Sequence, residues 1–198
     1  MNRKLSTPWI VVMVTAWILI VAGGIVGLAK YKSLPGELAP APKVWSEESK
    51  LVRTPGIATL VMLNHPRCPC TRASIAELGE LMSQSHDRLT AYILFVRPTG
   101  FSDDWTKTDL WGSASRIPGV HVVIDEGGVE AARFEALTSG QVVLYDGDGR
   151  LKFSGGITGA RGHIGDNLGL RRVMSLLSGA EPDRTESPVF GCPLHDPK

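Results

Sequence analysis

The residues with the clearest chemistry are Cys68 and Cys70, which are separated only by Pro69. A cysteine thiolate attacks disulfides and binds soft metal ions, so two thiols this close predict redox or metal chemistry. A disulfide between residues i and i+2 closes a very small ring, whose strained geometry makes the bond easier to reduce. The alternative is that both cysteines are buried only as small apolar side chains. We favour a redox-active pair, because packing cysteines seldom come as Cys-Pro-Cys before a helix.

The elements predicted around the pair are those that stabilise a thiolate. Residues 57–63 are apolar and partly β-branched, the pattern of a buried strand, and residues 75–82 place apolar side chains at helical spacing. The cysteines are therefore expected at the start of a helix, where free N–H groups and the helix dipole favour negative charge. Pro69 suits the first turn of that helix, and Arg67 and Arg72 add positive charge.

Composition limits the classes of function. The chain has 198 residues, which is room for one ordinary domain and additional segments. Its net charge of +1 and its lack of a long basic run argue against nucleic acid as a partner. The third cysteine, Cys192, lies far from the other two, so any single intrachain disulfide leaves one thiol unpaired.

The N-terminal segment predicts a membrane anchor. Residues 9–29 carry no charge and are long enough, at 1.5 Å per residue, to match a hydrocarbon core of about 30 Å. We predict a cytoplasmic segment at residues 1–8, a transmembrane helix at 9–29 and a linker at 30–50. A cleaved signal peptide is the alternative, although its apolar core is usually shorter, about 7–15 residues. In both cases the remaining chain lies outside the cytoplasm, on the periplasmic side of the inner membrane, where disulfides form.

Residues 51–178 are predicted to form the folded domain, and residues 179–198 a C-terminal tail that carries Cys192. Apolar runs of strand length alternate with helical patterns, and residues 146–149 (Asp-Gly-Asp-Gly) are typical of a hairpin turn. This order predicts an α/β fold, a mixed sheet flanked by helices on both faces.

The order of these elements, with a cysteine pair after the first core strand and a closing hairpin and helix, resembles the thioredoxin fold. The resemblance covers about residues 57–177. Three stretches, His-Pro-Arg-Cys-Pro-Cys, Thr-Ser-Gly-Gln-Val and Gly-Gly-Ile-Thr-x-x-Arg-Gly-His, also resemble membrane-anchored proteins of the RedB and TlpA type. The resemblance implies that Cys68 and Cys70 take the place of the redox pair. It also implies disulfide exchange with an extracytoplasmic thiol or disulfide protein.

The sequence departs from the thioredoxin pattern at Gly140. In the family a cis-proline faces the cysteines just before the hairpin, and here Gly140 occupies that position. A cis peptide before a residue other than proline costs about 2.5–4 kcal/mol, so we expect a trans bond. Loss of this proline weakens the expectation of a general protein reductase and leaves room for a metal ion.

Residues 153–167 form a glycine-rich loop that carries Arg161, His163, Asp166 and Asn167. Such a composition makes a poor core and is typical of a site loop. We expect Asp166 or Asn167 to cap the last helix. His163 is a candidate proton shuttle or metal ligand beside Arg161. The alternative is that both side chains bond only to carbonyls of their own loop.

The tail becomes apolar again at residues 187–195, and Cys192 lies within this stretch. A disordered tail rarely keeps such residues. We therefore expect the tail to fold back near the cysteine pair, where Cys192 either resolves a mixed disulfide or completes a thiolate site with Cys68 and Cys70. The alternative is a surface clasp with a free thiol.

Several functions remain open. The leading one is cofactor-free thiol–disulfide exchange, in which one thiolate of the pair attacks a partner's disulfide and another thiol releases the product. The second is a non-enzymatic carrier of copper or another thiophilic metal, since thiolates and imidazole bind Cu(I). Its ligands would be drawn from Cys68, Cys70, Cys192, His65 and His163. A peroxidase is disfavoured, because the threonine expected three residues before its cysteine is absent. The last is a membrane-tethered binding module without chemistry.

Overall fold

The computed structural model describes residues 7–194, so residues 1–6 of the predicted cytoplasmic segment and 195–198 of the predicted tail lie outside the described residues. The chain divides into two compact units, the first ending at Leu34 and the second beginning at Pro35. Each unit is described by itself. The segments predicted as linker and tail therefore belong in large part to the second unit, together with the predicted domain.

The first unit is a single helix, α1 (Thr7–Ser33), which extends beyond the predicted span of residues 9–29 at both ends. Its stretch Pro8–Ser33 is long and apolar enough to cross a membrane, by length and composition. A signal sequence near an N-terminus has the same properties. The helix is thus a candidate membrane span, and its 27 residues rise roughly 40 Å.

The second unit contains one mixed sheet of five strands. These are β1 (Ala58–Asn64), β2 (Leu89–Arg97), β3 (Val120–Glu126), β4 (Gln141–Tyr145) and β5 (Leu151–Gly156). Their order across the sheet is β3-β2-β1-β4-β5. The first three strands are parallel, whereas β4 runs antiparallel to β1 and β5 antiparallel to β4. The central strand β1 is buried from its second residue to its last. The turn after β1 therefore lies at the carboxyl end of this strand, in the middle of the sheet.

Helices and loops cover both faces of the sheet. The helices are α2 (Thr71–Ser85), α3 (Asp109–Ala114), α4 (Val129–Arg133) and α5 (Leu168–Leu177). Buried side chains of α2, α3 and α5 share one core with β1, β2 and β4. Asn167 caps α5 as predicted, its side-chain oxygen accepting a hydrogen bond from the backbone N–H of Leu170.

The core on the opposite face explains why the folded unit is longer than the predicted domain. It is formed by Ala131 of α4 and the following Phe134, which pack on side chains of β1, β2 and β4 together with residues from outside the sheet region. Ala41 and Leu51 reach it from the segment before β1, and Leu194 reaches it from the tail. Burying a leucine side chain contributes about 1.5–3 kcal/mol, which is sufficient reason for these flanking segments to stay docked. The predicted α/β architecture is confirmed.

Candidate redox site

The cysteine turn connects the carboxyl end of the central strand β1 to helix α2. The backbone N–H of Cys68 donates to the carbonyl oxygen of His65 over 3.1 Å, and that of Thr71 donates to the carbonyl of Cys68 over 3.1 Å. These bonds form a tight turn whose chain enters α2 at Thr71. Cys68 and Cys70 therefore lie immediately before the first turn of a 15-residue helix, where N–H groups without helical partners point outward.

The structure brings the third cysteine to this turn. The sulfur of Cys192 lies 2.8 Å from the sulfur of Cys68, and all three cysteines are free thiols. Cys68 is 1% exposed and Cys70 is 9% exposed, whereas Cys192 is only half-buried. The tail thus lies against Cys68, and its own cysteine is the most accessible of the three.

Four donors converge on the sulfur of Cys68. Burial raises the pKa of this thiol, but hydrogen bonds from the thiol and the backbone N–H of Cys192, the hydroxyl of Thr71 and the backbone N–H of Cys70 outweigh burial and bring the pKa below its usual value. The N–H of Cys192 lies 3.4 Å from the sulfur. Cys68 is therefore the thiol of this site that is stabilised as a thiolate.

A chain of hydroxyl groups supports the donor Thr71. The hydroxyl oxygens of Thr71 and Ser139 are 2.8 Å apart, and Ser139 accepts the backbone N–H of His65 over 2.8 Å. Both hydroxyls are almost completely buried, at 0% and 1% exposure. With Ser139 donating to Thr71 and Thr71 donating to Cys68, every hydrogen in the chain points towards the thiolate. The arrangement favours negative charge on Cys68 without a nearby cation.

The other two thiols are held protonated. Burial and the nearby charge of Cys68 raise the pKa of Cys70. Burial, the hydrogen bond to Cys68 and the charges of both other cysteines raise the pKa of Cys192 to about 12. The guanidinium of Arg161 opposes both shifts, donates to the carbonyl oxygen of Gly191 and lies close to the side chain of Cys70. Of the three thiols, Cys68 is therefore the one that loses its proton most readily.

Backbone pairing holds the tail at the site. The N–H of Ser139 donates to the carbonyl of Cys192 over 2.8 Å, and the N–H of Leu194 donates to the carbonyl of Leu137 over 2.9 Å. These bonds flank an antiparallel bridge between Thr138 and Pro193. The tail therefore runs as a short extended strand beside residues 137–139.

Gly140 follows this segment and needs to be glycine. Its φ is +86°, a left-handed conformation that glycine adopts at low cost, and a Cβ there would lie 2.7 Å from the hydroxyl oxygen of Ser74. All peptide bonds of residues 7–194 are trans, including the one at Gly140, as predicted. Its N–H donates to the carbonyl of Leu63 over 2.8 Å, which joins the start of β4 to the end of β1 below the cysteine turn.

The three parallel strands are followed by an antiparallel hairpin, and a cysteine turn lies between the central strand and the helix after it. Thioredoxin has the same arrangement. The domain has a thioredoxin-like fold. The predicted resemblance to the thioredoxin-like superfamily is thereby confirmed at the level of the fold. No family model matches the chain, and no curated protein matches its sequence.

Two of the solved structures that resemble this chain share its fold at low sequence identity, and a third superposes less well. A conserved protein from Geobacillus kaustophilus superposes with a TM-score of 0.59 at 18% identity, covering 82% of this chain and 92% of that one. A hypothetical protein from Sinorhizobium meliloti 1021 superposes with a TM-score of 0.59 at 17% identity, covering 82% and 97%. The exposed lipoprotein thioredoxin of Streptococcus pneumoniae superposes with a TM-score of 0.45 at 14% identity, covering 63% and 85%.

The remaining predicted site residues of the thioredoxin-like domain differ in whether they reach the thiols. The His65 ring stands edge-on to Trp105 at 5.4 Å, and its Nδ1 accepts the backbone N–H of Arg67 over 3.2 Å. The Arg67 guanidinium lies 5.2 Å from the Trp105 ring centre, and Pro69 is exposed. His163 is exposed, and within residues 7–194 no hydrogen bond joins it to a cysteine. The structure therefore places Arg161, but not His163, at the thiols.

An open cavity lies beside His65. Its volume is about 320 Å³, and its lining is largely apolar. The residues that line it are His65, Val96, Pro98, Thr99, Trp105, Gly127 and Leu194. Because Leu194 belongs to the tail, the cavity and the tail strand are adjacent.

Among residues 7–194 no group of three or more His, Cys, Asp or Glu side chains is arranged to hold a metal ion. The metal-carrier alternative stays a prediction.

The sequence analysis missed the hydroxyls of Thr71 and Ser139 and the role of Gly191. A Cβ on Gly191 would overlap the carbonyl oxygen of Ser139, so only glycine allows the tail this close to the segment before β4. The available signal was positional, since Thr71 directly follows the cysteine pair and Ser139 directly precedes Gly140.

Proposed function

We propose that the protein is a membrane-anchored, extracytoplasmic thiol–disulfide exchange protein in which Cys68 of the Cys-Pro-Cys motif is the attacking thiolate. The observation that carries this proposal is the convergence of four hydrogen-bond donors on a single buried sulfur, with a second thiol 2.8 Å away. A packing cysteine needs neither feature. Disulfide exchange needs both a stabilised thiolate and a neighbouring thiol.

The chemistry is an exchange of one disulfide for another. The Cys68 thiolate attacks a sulfur of the partner's disulfide, which forms a mixed disulfide and releases the partner's other sulfur as a thiolate. A neighbouring thiol of the site then loses its proton, attacks the Cys68 sulfur and releases the partner's remaining thiolate. Two electrons pass from the site to the partner, and the same steps run in reverse when a dithiol partner reduces the oxidised site.

The surroundings of Cys68 also indicate how the reaction responds to pH. A lowered pKa keeps more of the thiol as thiolate than in an ordinary cysteine, so exchange extends to lower pH than for an ordinary cysteine. The activity is lost as the pH falls through the lowered pKa. An extracytoplasmic protein gains from this, because its compartment follows the pH of the medium.

Replacement of Thr71 by valine is expected to slow exchange at pH 6 by about threefold or more, because a hydrogen bond to a charged sulfur is lost. The midpoint of the rate against pH should move upward. The measurement is the rate at which the full chain, in detergent micelles, reacts with a chromogenic aryl disulfide between pH 5 and 9.

Thr59→Val is the matched control for Thr71→Val. Thr59 is equally buried, and its hydroxyl has no hydrogen-bond partner, so the same change there removes no interaction with the thiols. Its profile should match that of the unchanged protein. Equal profiles for both variants would show that Thr71 does not stabilise the thiolate.

The location of the domain is tested by a topology reporter. The uncharged residues 9–29 lie within α1, which is a candidate span and places the thiols beyond it in the sequence. Alkaline phosphatase fused after Lys198 should be active, and cell fractionation should recover the fusion with the membrane. A fusion that is inactive, while a cytoplasmic reporter at the same position is active, would refute the extracytoplasmic assignment.

A further inference from the structure

We propose that Cys192 on the tail, rather than Cys70, is the resolving partner of Cys68, and that an external thiol enters the oxidised protein at the Cys192 sulfur. This inference rests on the proposed exchange function and specifies which thiols carry it out. It depends on the position of the tail, the exposure of the sulfurs and the groups that stabilise each one.

The positions of the sulfurs favour pairing of Cys68 with Cys192. The sulfurs of Cys68 and Cys192 are 2.8 Å apart, and a disulfide needs about 2.05 Å, so a shift of about 0.8 Å brings them to bonding distance. Cys70 is the competing partner, but its bond to Cys68 would close the very small ring of an i, i+2 disulfide. A bond to Cys192 carries no such ring constraint, since 124 positions separate the two residues.

The tail that carries Cys192 is held in place by its contacts with the rest of the domain. Val189 and Leu194 are 1% and 3% exposed, on either side of Cys192. The hydroxyl of Ser187 donates to the carbonyl of Gly156 over 2.6 Å, and a Cβ on Gly156 would lie 2.6 Å from the carbonyl oxygen of Pro188. The glycines at the end of β5 thus make room for the tail, and Cys192 is positioned by backbone contacts on both sides.

Cys68 and Cys192 also differ in how accessible they are to an incoming thiolate. Cys68 is 1% exposed and covered by the tail, whereas Cys192 is half-buried and is the more accessible residue of the two. In a Cys68–Cys192 disulfide an incoming thiolate therefore meets the Cys192 sulfur first. The sulfur that leaves is then Cys68, whose thiolate is already surrounded by donors from Thr71, Cys70 and Cys192. Attack at the exposed sulfur and departure of the stabilised one favour the same direction of cleavage.

The reaction balances with a dithiol as the external reductant. Its first thiolate attacks the Cys192 sulfur, which breaks the Cys68–Cys192 bond, forms a mixed disulfide on Cys192 and releases the Cys68 thiolate. Its second thiol loses a proton and attacks the reductant's own sulfur in the mixed disulfide. Cys192 leaves as a thiolate and takes up a proton, so the protein gains two electrons and the reductant becomes a disulfide. Cys70 stays a thiol beside Arg161 throughout.

Mass-spectrometric mapping of the full chain in detergent micelles tests both parts of this inference. The protein is oxidised with glutathione disulfide, free thiols are blocked with a maleimide at low pH, and the bridged peptides are identified. The expected bridge joins Cys68 to Cys192, with Cys70 alkylated. A brief pulse of reduced glutathione on the oxidised protein, stopped with acid, should then place glutathione on Cys192 in about tenfold excess over Cys68.

The possible outcomes separate this inference from the function on which it rests. A bridge between Cys68 and Cys70 overturns the role of Cys192 but leaves the exchange function standing. A Cys68–Cys192 bridge that gains glutathione on Cys68 or Cys70 overturns the entry at Cys192 alone. If no bridge forms at any ratio of oxidised to reduced glutathione, the exchange function itself fails.

Discussion

Replacement of Cys68 by serine should lower the rate of thiol–disulfide exchange by at least about tenfold at pH 7. The two remaining thiols both have raised pKa values, and that of Cys192 rises to about 12, so almost none of either is present as a thiolate. The measurement is the rate at which the full chain in detergent micelles reacts with an aryl disulfide.

Serine is nearly the size of cysteine, so the fold should survive this change, and a thermal unfolding curve checks that it does. Cys68→Ala is the second variant, because alanine, unlike serine, cannot accept the hydrogen bonds that the thiolate accepts. Both variants should lose exchange equally. Retention of exchange within tenfold of the unchanged protein would mean that another cysteine attacks and that the donors around Cys68 serve only packing.

Gly191→Ala should displace the tail strand and separate Cys192 from Cys68. The added Cβ would overlap the carbonyl oxygen of Ser139, which is backbone and cannot rotate away. The bonds from Ser139 and Leu194 that pair the tail with residues 137–139 should weaken or break. We expect maleimide labelling of Cys68 in the reduced protein to accelerate by at least about tenfold. Cys68 is only 1% exposed in the unchanged protein, and displacement of the tail would uncover its sulfur.

The matched control is Gly79→Ala on α2. A Cβ there meets only the side chain of Ile117 at 3.8 Å, which is ordinary contact, and alanine is a better helix former than glycine. Labelling of Cys68 should be unchanged in this variant. If Gly191→Ala also leaves the labelling rate unchanged while the variant stays folded, the tail does not cover the thiol.

Local patterns were sufficient to predict the framework of the site. The apolar strand before the cysteine turn and the helical spacing after it correspond to β1 and α2, because each element buries one continuous set of side chains. The cap at Asn167 was likewise predictable from its position before an amphipathic helix. These features depend on residues close together in the sequence, and periodicity reports such features well.

The contacts that tune the thiols could not be predicted from local patterns. Ser139 reaches Thr71 across 68 positions. Cys192 reaches Cys68 across 124 positions, an approach expected from the apolar composition of the tail and not from any periodicity. Nothing in the periodicity of either segment specifies its partner, since the two meet only after the sheet has formed. Which arginine lies near the thiols could not be predicted from the positions of the charges in the sequence either. Arg67 lies against Trp105, and Arg161, from a loop far along the chain, is the cation that lies near the thiols.

The extent of the folded unit also exceeded what periodicity predicts. Residues 35–50 have neither helical nor strand spacing, yet Ala41 is 7% exposed and the Trp45 ring lies 5.2 Å from both Phe134 and Tyr145. Isolated apolar residues in a proline-rich segment resemble a linker in the sequence. They become part of the core because the face of the sheet opposite α2 has only the five-residue helix α4 to cover it.

The measurement that tests the exchange function most directly is a redox titration of the full chain in detergent micelles. The protein is equilibrated with glutathione buffers of graded potential, quenched with acid, and its free thiols are counted by alkylation and mass. The exchange function predicts one reversible two-electron transition, in which two thiols of the three disappear and Cys68 is always one of them. Three thiols that stay free at every potential would contradict it, as would a bridge that excludes Cys68.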